Sequence, residues 1–73
     1  MKCQEFTIRI NPLTDEELEE VIPAICHDGL IGSIKGDWYV SFIRYARTRE
    51  EAIEQAMKEL KSTKAITLCE LLP

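Results

Sequence analysis

Apolar and polar residues alternate from Gln4 to Ile10. Phe6, Ile8 and Ile10 fall on one side, and Glu5, Thr7 and Arg9 on the other. That period of two predicts a half-buried strand, which Asn11-Pro12 ends. The period then lengthens. Leu18, Val21, Ile22 and Ile25 recur at helical spacing, the signature of an amphipathic helix with one face on a core. Thr14 and Glu17 have the spacing of a capping box, Leu13 and Leu18 that of a hydrophobic staple, and Asp15, Glu16 and Glu17 suit the positive end of the helix dipole. Pro23 removes the amide that would bond to Glu19 and predicts a kink, and Gly29 predicts the helix stop. Leu30 to Ile34 predicts a short strand.

The stretch from Asp37 to Leu60 is the organising segment. Its strand sets Trp38, Val40 and Phe42 on one face and Tyr39, Ser41 and Ile43 on the other. Thr48 and Glu51 make a second capping box. Ala52, Ile53, Ala56, Met57 and Leu60 then form a helical apolar stripe that ends with Lys58 and Lys61 in the last turn. Lys64 to Leu71 predicts the last strand, with Ile66 and Leu68 inward. Between the two middle strands, a two-residue loop at Lys35-Gly36 would pair Ile34 with Asp37 and turn Ile34 away from the core. A three-residue loop, Lys35-Gly36-Asp37, pairs Ile34 with Trp38, Gly32 with Val40 and Leu30 with Phe42, which keeps the apolar residues together. The second register is therefore expected, with Gly36 as its left-handed residue.

The predicted order, β-α-β-β-α-β, points to an α+β ferredoxin-like sandwich: one domain over residues 1–73, a four-stranded antiparallel sheet in the order 4-1-3-2, and two helices on one face. The other face is expected to stay open and to display Glu5, Thr7, Arg9, Tyr39, Ser41, Ile43, Ala65, Thr67 and Cys69. Of these, Thr7, Arg9, Tyr39, Ser41, Ile43 and Thr67 are the expected interaction residues.

Composition narrows the function classes. The chain has 73 residues, 45% hydrophobic and 30% charged, which is a folded domain with a modest stability of about 3–5 kcal/mol. A net charge of −4 argues against direct binding to nucleic acid or to an anionic membrane, since both need a cationic surface. No apolar run is long enough to span a bilayer, and MKCQEF enters a strand pattern without a leader. Three cysteines, none in a Cys-x-x-Cys pair, argue against a disulfide framework and for a reducing cytoplasm.

Candidate chemistry is sparse. Cys3, Cys26, His27, Asp28 and Cys69 are metal-ligand types that the topology brings toward one pole, but they come from different faces, so no metal and no cofactor are expected. A single His without a Ser-His-Asp or Cys-His spacing leaves no catalytic set, and no enzyme activity is expected. Lys35-Gly36-Asp37-Trp38-Tyr39-Val40-Ser41-Phe42 resembles the third-strand consensus of the RNA-recognition motif. Asp37 and Arg9 stand where that family has outward aromatics, leaving only Tyr39 to stack on a base. Arg44 has inward parity at the pole where the first helix ends. It is expected to pair with Asp28 or with the last helical carbonyls, so Cys26, His27, Asp28 and Arg44 form a structural or ligand-binding pole.

Two junctions carry a wider resemblance. Cys26-His27-Asp28-Gly29-Leu30-Ile31-Gly32 is similar to a Cys-x-Asp-Gly/Ala-x-x-Gly helix-to-strand junction. Phe42 to Ile53 resembles a Phe-x-Arg-x-Ala-x-Ser/Thr-x-Glu-Glu-Ala-Ile strand-to-helix junction. Both occur, in this order, in small uncharacterised bacterial proteins of ferredoxin-like type, some of them fused to a helix-turn-helix domain. The resemblance is carried by caps, core and turns, so it implies a fold more than a function; a DNA-related role would be indirect, through a partner, and no catalytic residues are implied. The expected function is a non-enzymatic regulatory or protein-interaction module, a homodimer or bound to a protein partner through its open sheet face or a sheet edge. The alternative is a sensor of a small, amino-acid-type ligand, in which Gly29 and Gly32 let the ligand approach the backbone.

Overall fold

The computed structural model describes residues 2–25 and 28–73. The element order is β1 (Lys2–Ile10), α1 (Asp15–Ile25), β2 (Gly29–Ile34), β3 (Asp37–Ala46), α2 (Arg49–Lys61) and β4 (Cys69–Leu71). It is an α+β fold with a four-stranded sheet in the order β2-β3-β1-β4, and every adjacent pair is antiparallel. Read from the other edge, this is the expected 4-1-3-2.

Both helices contribute to one core. Phe6, Ile8 and Ile10 of β1 and Val40, Phe42 and Ala46 of β3 are buried together with Val21 and Ile25 of α1 and Ala52, Ala56 and Leu60 of α2. The small alanines let α2 lie close to the sheet, and the Phe6 and Phe42 rings stack with centroids 5.3 Å apart. The long β1–β3 ladder, from Lys2 opposite Ala46 to Ile10 opposite Trp38, is the spine of the sheet.

The capping chemistry matches the sequence. The Thr14 amide donates to Glu17 Oε1 (2.9 Å), and the Glu17 amide donates to the Thr14 hydroxyl (3.2 Å), closing the box in both directions. Thr48 is the extended N-cap of α2, and its hydroxyl accepts from the Glu51 amide at 3.1 Å. Among the described residues helix α1 spans Asp15–Ile25, reaching two residues past Pro23. Gly29 is instead the first residue of β2, where a Cβ would meet the Ile25 carbonyl at 3.0 Å and the Phe42 ring at 3.1 Å. It is a close-packing glycine and not a helix stop.

Two expectations about strands are corrected. The β2–β3 hairpin turns in two residues, with Ile34 opposite Asp37, Ser33 opposite Trp38 and Ile31 opposite Val40. Lys35 (φ 53°) and Gly36 (φ 86°) both take the left-handed conformation that a tight hairpin turn needs to match the twist of its strands. Local turn chemistry thus overrides the apolar pattern. Ile31 goes inward, and Leu30 and Ile34 go to the open face.

The last strand is also shorter than the pattern implied. Lys64 to Leu68 is not strand, and β4 covers only Cys69–Leu71. The cause is the Asn11 side chain. Its Oδ1 accepts from the amides of Thr67 (2.8 Å) and Leu68 (3.2 Å), and its Nδ2 donates to the Ala65 carbonyl (2.9 Å). One amide side chain takes the place of a partner strand. Ala65 and Ile66 are both buried in this segment, which alternating strand geometry could not achieve. Among the described residues, no helix is long and apolar enough to cross a membrane.

Candidate functional site

The open sheet face is built by alternation. Opposite Phe6, Ile8 and Ile10, β1 presents Cys3, Glu5, Thr7 and Arg9. Opposite Val40 and Phe42, β3 presents Tyr39, Ser41, Ile43 and Tyr45. From β2 come Leu30, Gly32 and Ile34. Thr7 and Ser41 sit directly across from each other, with hydroxyl oxygens 3.2 Å apart. Arg9 donates to Asp37 Oδ1 at 3.0 Å and lies 3.9 Å from Glu70 Oε2, so its charge is engaged along the face. These are surface pairs that fix orientation more than they stabilise.

Around this polar centre the face is apolar and uncovered. Leu30 is 76% exposed, Tyr45 73%, Ile34 65% and Ile43 55%. A shallow hollow of about 350 Å³ lies between Tyr39, Ile34 and Leu72, floored by Gly32 and by the Thr7 and Ser41 hydroxyls. Of the six interaction residues expected from sequence, Thr7, Arg9, Tyr39, Ser41 and Ile43 belong to this face. Thr67 does not. It lies in the Asn11-clipped segment, outside the sheet.

Ala65 and Cys69 also leave the face. Ala65 is buried. Cys69, opposite Ile10, packs against the core, and burial pushes its thiol above the ordinary range despite the nearby positive charge of Lys61. Glu70 takes the outward place on β4. Cys3 and Cys69 also sit at opposite ends of β1, because Cys3 pairs with Tyr45 and Cys69 with Ile10. That is about 23 Å of strand, so these two cysteines do not meet at one pole.

The expected Arg44–Asp28 pairing is present and larger than foreseen. Arg44 Nε and Nη2 donate to both carboxylate oxygens of Asp28, at 2.5 and 2.8 Å. Nη1 and Nη2 donate to Glu59 of α2, at 2.7 and 3.2 Å. The guanidinium carbon lies 5.2 Å from the centre of the Phe42 ring, within reach of a cation–π contact. The Asp28 hydrogen bonds hold the Arg44 pKa above its ordinary value; burial works the other way, and Glu59 adds to the rise. Arg44 is only 10% exposed with its donors occupied by two carboxylates, so this pole is a clasp joining β3, α2 and the entry to β2. Cys26 and His27, expected at the same pole, lie outside the described residues. Glu59 was missed, although a signal existed. It falls seven residues after Ala52, at the margin of the buried stripe, where a half-exposed carboxylate can reach a cation on the neighbouring strand.

A second concavity, about 430 Å³, runs between α1 and the edge strand β2. Leu18, Ile22 and Ile25 form one wall and Ile31 and Trp38 the other. Ile22, expected on the buried stripe, is 47% exposed at its rim.

Comparison of the chain with protein-family models, with curated proteins and with solved structures found no match.

Proposed function

We propose that this chain is a ferredoxin-like, non-enzymatic regulatory module that works by association, binding a second copy of itself or a protein partner through the open side of its sheet. The observation that carries this reading is the concentration of Leu30, Ile34, Ile43 and Tyr45 on one uncovered face, each more than half exposed. Large apolar side chains left uncovered around the central Thr7 and Ser41 hydroxyls favour an interaction surface over a merely solvated one. The donors of Arg44, taken up by Asp28 and Glu59, support association over chemistry at that pole, because they are not left to hold a substrate. A regulatory setting is supported by the resemblance to small bacterial proteins, some of which carry a helix-turn-helix domain.

The test is sedimentation of the purified chain at tens to hundreds of micromolar, with a Leu30→Asp/Ile43→Asp double variant beside it. Both residues are exposed, so the variant should melt within a few degrees of the parent and sediment as a monomer where the parent associates. A parent that stays monomeric rejects self-association, and a double variant that associates equally well rejects the face.

The groove between α1 and β2 favours one second reading, a small-ligand sensor. Its volume of about 430 Å³ falls in the range of small-molecule sites. Specific binding there by an amino acid or nucleotide would raise the melting temperature with ligand concentration.

A further inference from the structure

Strand β2 closes one edge of the sheet. Its six residues, Gly29–Ile34, include no charge and no proline. Edge strands of small proteins are ordinarily guarded by lysine, proline or a bulge, because bare main-chain groups recruit another strand. Here the direction of those groups follows from the hairpin. Ile34 and Asp37 flank a two-residue turn and exchange hydrogen bonds with each other, and Gly32 and Leu30 share their phase. Gly29, Ile31 and Ser33 therefore direct their N–H and C=O groups away from the sheet. The side chains of the same strand add a second feature. Leu30 projects from the open face at 76% exposure. Two residues on, a Cβ added to Gly32 would meet no atom within 4 Å. One strand thus carries a knob beside a hole.

We propose that β2 pairs antiparallel with β2 of a second copy, across a two-fold axis at Ile31, so that the sheet runs continuously through both chains. The proposal deepens the association reading above and rests on it. In this register Ile31 exchanges both main-chain hydrogen bonds with its symmetry mate, and Gly29 exchanges with Ser33, so each outward group on the strand finds a partner. Sliding the pairing two residues in either direction carries one outward residue past the end of the strand. The same register sets Leu30 opposite Gly32 of the second copy, and by symmetry each hole receives a knob. Ile22, half exposed at the groove rim, is carried toward the second copy on the helix side.

Size sets the strength. The edge is about 20 Å long, and the molecule's two shorter extents are 23 and 17 Å. The facing area is therefore about 400 Å² per partner, about half that of a standard stable interface. Each copy also carries a net charge of −4. The dimer accordingly dissociates in the micromolar range and tightens as salt screens the repulsion.

The experiment is sedimentation equilibrium of the intact chain from micromolar to several hundred micromolar, at low and high salt, with two variants. Gly32→Lys fills the hole with a charged side chain that the open position accepts. Ser33→Pro removes one outward amide that the sheet itself does not use. Each is expected to weaken dimerisation by about tenfold or more while keeping a wild-type circular dichroism spectrum. A mixed-label sample of the wild type is expected to show nuclear Overhauser contacts between Leu30 methyls of one chain and Gly32 α-protons of the other. A dimer unaffected by either variant, yet abolished by Leu30→Asp/Ile43→Asp, overturns edge pairing and leaves association through the open face standing. A wild-type chain monomeric throughout overturns the edge pairing and the self-association beneath it.

Discussion

Arg44 decides how the pole of the molecule is held. Its guanidinium lies against Phe42 and bridges Asp28 and Glu59, so its removal leaves two carboxylates near each other with no cation between them. Because Asp28 and Glu59 keep partial exposure, at 22% and 43%, water softens that loss. Arg44→Ala should cost about 1–2 kcal/mol and lower the melting temperature by about 5–15 °C, as read by thermal unfolding. Arg44→Lys should recover only part, since an ammonium cannot serve both carboxylates as a planar fork does. A raised folded pKa gives stability that is complete below arginine's unfolded value and lost only above it. The clasp therefore contributes undiminished through neutral and mildly alkaline pH.

At the scale of elements, Asn11 does the work of a strand. Replacing it by alanine strands the amides of Thr67 and Leu68 and the carbonyl of Ala65. Asn11→Ala should destabilise by about 1–3 kcal/mol, with faster hydrogen exchange at Thr67 and Leu68 than in β1. Caps, and the helix stripes apart from the exposed Ile22, were legible in the sequence because they are local: Thr14 with Glu17 and Thr48 with Glu51 need only their own spacing. Alternation likewise placed Phe6, Ile8, Ile10, Val40 and Phe42 correctly. The errors fell where a single side chain or turn outweighed the pattern. Asn11 read as a breaker, and nothing in its neighbours announced that its amide would hold residues 54–57 positions away. At Lys35-Gly36 the apolar pattern favoured one register and the turn another. The turn prevailed, and with it Leu30 and Ile34 moved to the face where association is proposed. Most of the candidate site was legible, Ile43 included, but Leu30 and Ile34, which make its β2 side apolar, were not.

Across the whole molecule, the sheet is stitched from pairings of very different range. Ile34 and Asp37 meet three residues apart, whereas Lys2 meets Ala46 across most of the chain. A pairing so distant must first overcome the entropy of closing its loop. The β2–β3 hairpin should therefore form early, within microseconds, and the docking of β1 between β3 and β4 should limit the rate. Lys35 holds a left-handed φ of 53° that asparagine adopts more readily. Lys35→Asn should accordingly shift the folding arm of a chevron plot upward and leave the unfolding arm nearly unchanged, with a gain of a few tenths to about 1 kcal/mol in stability.

The two-residue turn thus has a consequence in time as well as in space. It commits the chain to a hairpin whose bare edge and outward leucine and isoleucines exist before the core has closed over them. Until β1 docks, that edge and those side chains stay open to other chains, so fast completion of the central ladder should favour orderly pairing over aggregation at high protein concentration.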